Sequence, residues 1–113
     1  MRDLEIKTYD FTVKAIGFVK SIEKKFPEMP LSEFRKSAGD VSIKYMGAIS
    51  SKENEDFANS LRSCYSQLKQ SAQILKSMKT IPNERIENEK HDLIKDAELL
   101  DEELNTIIKK LIY

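Results

Sequence analysis

Apolar residues return every three or four positions through four successive stretches of this chain, and only short breakers interrupt them. That spacing matches the 3.6-residue turn of an amphipathic α-helix, and no stretch alternates as a half-buried strand does. Four helices are expected, over about 3–25, 31–50, 52–79 and 84–112. In the first, Tyr9, Val13, Ile16, Val19 and Ile22 form one stripe, and Phe11, Ala15, Phe18 and Ile22 a second beside it. Together they read as a face wide enough for several neighbours, with Asp3 as N-cap. Glycine costs ~1 kcal/mol relative to alanine inside a helix, so Gly17 marks a close helix contact. Pro27 restricts Phe26 and stops the helix.

In the second stretch Phe34, Ala38, Val41, Tyr45 and Ala48 follow an a/d pattern. Ile43, Met46 and Ile49 widen that face to one flank, which asks for either a second internal neighbour or a subunit interface. Gly39 and Gly47 offer close approach. The third stretch carries Phe57, Leu61, Cys64, Leu68, Leu75 and Met78 and opens on Ser50-x-x-Glu53, the pattern of a capping box. The fourth repeats Ile86, Leu93, Ala97, Leu100, Leu104, Ile107 and Leu111 behind Asn83, a fair N-cap. Glu84 and Glu87 near its start, and Lys109 and Lys110 near its end, suit the helix dipole.

At ~1.5 Å per residue these segments are rods of ~30–43 Å. Short connectors between long rods force neighbours to run antiparallel. The expected fold is therefore all-α: an antiparallel up-down-up-down four-helix bundle, one domain over 1–113. Composition agrees, because 3 Gly and 3 Pro are too few for a turn-rich sandwich or barrel. One cysteine leaves no internal disulfide and no zinc cluster. The longest apolar run is three residues, so neither a membrane span nor a signal-peptide core is expected, and the expected address is the cytoplasm.

Lys+Arg and Asp+Glu number 19 each, which removes the simplest argument for a nucleic-acid binder, a strongly basic domain. The zero is uneven, however. Residues 1–82 hold 14 basic and 10 acidic side chains (+4), and residues 83–113 hold 5 and 9 (−4). No acid occurs between Asp56 and Glu84, and within that window Arg62, Lys69 and Lys76 are spaced by seven, with Lys79 three further on. Seven-residue steps stay within ~20° of one line on a helix, so these cations form a ridge down helix three. Ser and Gln residues surround it. Three readings fit the ridge: an anion track for RNA, DNA or an acidic protein; a solvated face or ion-pair partner for acidic helix four; and a neutral polar face that packs on another subunit.

Chemistry has little to work with. His91 is the only histidine and reads as an exposed helix residue without a Ser or Cys at a usable spacing. Cys64 lies on the apolar stripe and reads as a small buried hydrophobe. Glu84, Glu87, Glu89, Asp92 and Asp96 cannot make a di-iron bundle site, which needs Glu-x-x-His on two helices. No glycine-rich phosphate loop occurs. Tyr9, Tyr45 and Tyr65 stand at core spacings. No catalytic residue, cofactor, metal or small-molecule substrate is expected, and no membrane partner.

The junction of the first two helices reads Lys25-Phe26-Pro27 and then Phe34-Arg35-Lys36-Ser37-Ala38; the third opens with Ser51-Lys52-Glu53-Asn54-Glu55-Asp56-Phe57, and Leu61 follows one turn on. In order and segment length this resembles the small four-helix-bundle proteins encoded in intervening sequences of bacterial 23S ribosomal RNA genes. It also resembles their relatives, the accessory variability determinant proteins of diversity-generating retroelements. Where the first family has an Ile-Ala-Glu-Gly-like end to helix two, this chain has Met46-Gly47-Ala48-Ile49. The resemblance implies a homopentamer around a central channel. From the retroelement relatives it implies binding of nucleic acid and a reverse transcriptase through basic residues. The candidate binding residues are Arg35, Lys36, Arg62, Lys69, Lys76 and Lys79. The alternative expectation is a structural or protein-interaction scaffold without a nucleic-acid ligand.

Overall fold

The four periodic stretches fold as α1 (Arg2–Lys25), α2 (Ser32–Ile49), α3 (Asn54–Ser77) and α4 (Glu84–Lys110). They are seen in a computed structural model that describes residues 2–29 and 31–111. Pro30, Tyr113 and the expected end of helix four at residue 112 lie outside the described residues. The bundle is all-α, 46 × 21 × 20 Å, about as long as its longest helix. Cross-helix contacts fix the up-down-up-down order. Lys7 meets Glu103 and Lys14 meets Asp96, so α4 runs back seven residues as α1 advances seven. Likewise Ser37 meets Ser71 while Val41 meets Cys64 across α2 and α3. α1 and α3 each pack against both α2 and α4, and the two diagonals stay apart.

The core holds Phe11, Ala15, Phe18, Val19 and Ile22 of α1, with the a/d residues of α2 and the apolar repeats of α3 and α4. Phe18 and Phe34 meet edge to face, ring centres 6.0 Å apart. Three buried polar contacts tie helices together without a charge: Thr12 donates to Ala38 O at 2.6 Å, the Ser37 and Ser71 hydroxyls lie 2.8 Å apart, and the Cys64 thiol reaches Val41 O at 3.2 Å. Buried hydroxyls satisfied in this way cost the core little.

Several expectations change. The Tyr9 stripe of α1 turns outward in its first half: Tyr9 is 60% and Val13 49% exposed while Val19 and Ile22 are buried, so Tyr9 is not a packing residue within the chain. α1 has only two neighbours, which the Phe11–Ile22 stripe already satisfies. The glycines mark no close approach either. Nothing lies within 4 Å of where a Cβ would stand on Gly17 or Gly39, and at Gly47 the nearest atom is Ser60 Oγ at 3.8 Å. Asp3 sits inside the first turn of α1 rather than capping it. The Ser50–Glu53 capping box does not form, because the Ser50 and Ser51 hydroxyls turn back to Gly47 O, at 3.1 and 2.8 Å, and serve the end of α2 instead. Asn83 caps α4 as expected, its Oδ1 accepting from Ile86 N at 3.0 Å.

Candidate nucleic-acid interface

Arg62, Lys69 and Lys76 are all exposed on α3, and their shared line is on the α4 side of that helix. Tyr65 sets the geometry. Its hydroxyl donates to Asp101 Oδ1 of α4 at 3.0 Å, and the Lys69 ammonium donates to the Tyr65 hydroxyl oxygen at 3.4 Å and stands 5.0 Å from the ring centre. Lys69 is thus held over an aromatic face whose far edge is tied to α4. Lys79 is not on the ridge. α3 ends at Ser77, Met78 adopts an extended ψ of 138°, and Lys79 falls in the connector, where its carbonyl accepts from Lys90 Nζ at 3.4 Å. Pro82 favours extended backbone before it, and Ile81, 3% exposed, is drawn into the core, so the helix cannot continue.

Three of the carboxylates of α4 are engaged away from the ridge. Glu103 and Asp96 pair with Lys7 and Lys14 of α1 at 2.7 and 3.1 Å. Glu87 serves the α3–α4 connector. One of its oxygens accepts from Ile81 N and from Lys90 Nζ, both at 2.9 Å, and the other lies 2.8 Å from His91 Nε2. The bond from the Ile81 backbone amide, helped by Lys90, holds the Glu87 carboxyl below the usual range against a burial effect that raises it. Among the described residues, Lys69, Lys76 and Lys79 have no carboxylate partner. The reading in which helix four neutralises the ridge by ion pairs is therefore not what forms at these lysines. Asp101 comes nearest, acting through the Tyr65 hydroxyl.

Arg35 and Lys36 share an end of the bundle with Lys76 and Lys79, because α2 begins where α3 ends. They do not share its face. Arg35 turns to α1, where Glu23 lies 3.9 Å away, and the α1–α2 edge is opposite the α3–α4 edge. Ser66, Gln70, Gln73 and Ser77 form the exposed neutral surface beside the ridge.

Cys64 is fully buried, and burial pushes its thiol up to about 12, as it does the Tyr45 phenol. A thiol so protonated is not a nucleophile. His91 is exposed, as its place in a polar stretch predicts, and the sequence gives no sign of its contact with Glu87 one turn before it. Among the described residues no three His, Cys, Asp or Glu side chains gather to hold a metal ion, and no helix is long and apolar enough to cross a membrane.

No family model and no curated protein matches the chain. A solved structure does: a protein of unknown function from the S23 ribosomal protein family of Bacteroides thetaiotaomicron. It superposes with a TM-score of 0.83 at 18% identity, covering 95% of this chain and 99% of that one. At that identity the likeness establishes the fold, and it agrees with the resemblance at the level of the bundle.

Proposed function

We propose that this protein is a non-catalytic, cytoplasmic binding module that self-associates and engages RNA, alone or within a ribonucleoprotein, through the cationic ridge of α3. The observation that carries this reading is the open state of the ridge: Lys69 and Lys76 are exposed and without a carboxylate partner although the acidic helix lies alongside. Cations in that condition attract phosphate and release its counterions. The neutral Ser and Gln side chains beside them add hydrogen-bond donors without repulsion. The resemblance to the retroelement proteins supports a nucleic-acid partner and extends it to a reverse transcriptase, and the resemblance as a whole supports a pentameric ring. Titration of structured RNA at low salt tests the reading. Binding is expected for the native chain and is lost with Lys69→Glu combined with Lys76→Glu; no binding, or binding indifferent to that pair, overturns it. A second reading, a protein scaffold without RNA, is favoured by the apolar surface that α1 and α2 leave uncovered. It predicts assembly with no RNA retained.

A further inference from the structure

α1 and α4 are the first and last helices, no connector joins them, and they pack least closely of the four neighbouring pairs. A groove opens between them. It consists of two hollows that meet at Lys14, one of about 390 Å³ over Phe11, Leu99 and Leu100 and one of about 450 Å³ beside Gly17, Phe18 and Leu93. From Lys7 to Ser21 on α1, and from Glu89 to Glu103 on α4, the lining residues recur every three or four positions. The groove therefore follows both helices for ~21 Å, about four turns. Its floor is apolar. Phe11, Phe18, Leu93 and Leu100 lie buried beneath it, and Leu99 is 53% exposed on its wall. Gly17 has nothing within 4 Å of its Cβ position, so no side chain closes the hollow there.

Its rim is acidic. Asp10, Glu89, Asp92, Asp96 and Glu103 line it against only Lys7 and Lys14. Both lysines are already engaged, Lys7 with Glu103 at 2.7 Å and Lys14 with Asp96 at 3.1 Å. Asp10 and Asp92 have no cationic partner among the described residues. Glu89 is only half satisfied. Arg85 Nη1 stands 4.0 Å from its Oε1, while its Oε2 is buried without a hydrogen-bond partner. A buried acceptor left in that state costs free energy that an incoming donor recovers. A cleft of one sign with apolar walls also concentrates its field on the opposite charge.

We propose that this groove docks a cationic amphipathic helix of a partner protein. Charge complementarity selects the occupant. The surplus carboxylates repel the phosphates of a nucleic acid, and the apolar floor gives a purely polar polycation nothing to cover. A helix with apolar side chains at i, i+3 or i+4, and i+7 fills such a floor. Lysine and arginine on its flanks lay their methylene stems along the same apolar surface and bring their charges to Asp10, Glu89 and Asp92. The groove is on the α1 side of α4 and the cationic ridge of α3 on the other, so this site and the RNA reading stand or fall separately.

Fluorescence anisotropy with two labelled peptides of about 18 residues, a turn longer than the groove, tests the site. Both carry leucine at the i, i+3, i+4, i+7 spacing and alanine for helicity; the remaining positions are lysine in one and glutamate in the other. The lysine peptide is expected to bind the native chain in the micromolar range, and the glutamate peptide roughly tenfold or more weakly. Asp10→Lys with Asp92→Lys should weaken the lysine peptide by about tenfold or more. Glu55→Lys with Glu98→Lys makes the same change of charge outside the groove and should leave its affinity within about threefold. All four positions are exposed, and circular dichroism checks that folding is retained. Gly17→Leu fills the hollow with a better helix former and should weaken the lysine peptide as well. Equal affinity for the two peptides, equal weakening by the two charge-reversed pairs, or indifference to Gly17→Leu overturns the proposal. A native assembly that dissociates, by light scattering, as the lysine peptide binds overturns it too, since a second copy then occupies the groove.

Discussion

Lys90 occupies a core position: the apolar repeat of α4 steps from Ile86 to Leu93, and the lysine between them is 4% exposed. Its ammonium is compensated by Glu87, which also holds the Ile81 amide, so one carboxylate fixes both the buried lysine and the connector. Hydrogen bonds to a charged group contribute ~1.5–3 kcal/mol, and Glu87→Gln is expected to lower stability by about that much in a urea titration. The pH dependence follows from the lowered carboxyl. An unfolded Glu titrates near ~4.3, so the stabilisation is complete above that pH and is lost as pH falls through the lower folded-state value. Thermal unfolding between neutral and acid pH should show a steeper acid decline in the native chain than in Glu87→Gln. Cys64, raised to about 12 and buried, is expected to react with a thiol reagent only after denaturant is added; rapid labelling of the native chain contradicts its placement. Cys64 was legible because it lies on the apolar stripe. Lys90 and Ser71 were not. A skipped core position in a repeat signals something polar inside, but the compensating partner comes from another turn or another helix.

At the scale of the helix, local sequence told the truth about existence and less about ends. Asn83 both precedes α4 and bonds Ile86 N, so Asn83→Ala is expected to cost ~1 kcal/mol. Glu53 precedes α3 without any side-chain cap, so Glu53→Ala should leave stability within a few tenths of a kcal/mol of native. Equal losses in the two variants contradict the assignment of caps. The capping-box pattern misleads because a serine hydroxyl serves whichever orphan group is nearer, and here the Ser50 and Ser51 hydroxyls donate to Gly47 O at the end of α2. Gly39 has open space around its Cβ position rather than the close contact its spacing suggests, so Gly39→Ala should raise stability by ~0.5–1 kcal/mol in the same titration. Periodicity alone cannot separate a core stripe from an exposed apolar stripe. The Tyr9 and Phe11 stripes of α1 have the same spacing, and only the two neighbouring helices decide which is buried.

For the whole molecule, neutrality of the chain conceals a division of labour. The carboxylates of α4 pair with α1 and brace a connector, and the lysines of α3 are left to solvent beside them. The seven-residue cation spacing was legible as a ridge, while its openness depended on which way α4 turns its acids. Lys79 left the ridge because the helix stops at Ser77, and Arg35 and Lys36 share only its end. In the proposed function, three exposed cations on one helix line, with Lys79 beyond them, contact phosphate. Each such contact adds ~0.7–0.9 to the slope of log affinity against log salt, so a slope of roughly −2 to −4 is expected for structured RNA. Fluorescence anisotropy across a salt series measures it most directly. That slope is expected for the native chain and a slope smaller by about 1–2 for Lys69→Glu with Lys76→Glu. A slope near zero, or one unchanged by those two substitutions, would contradict it.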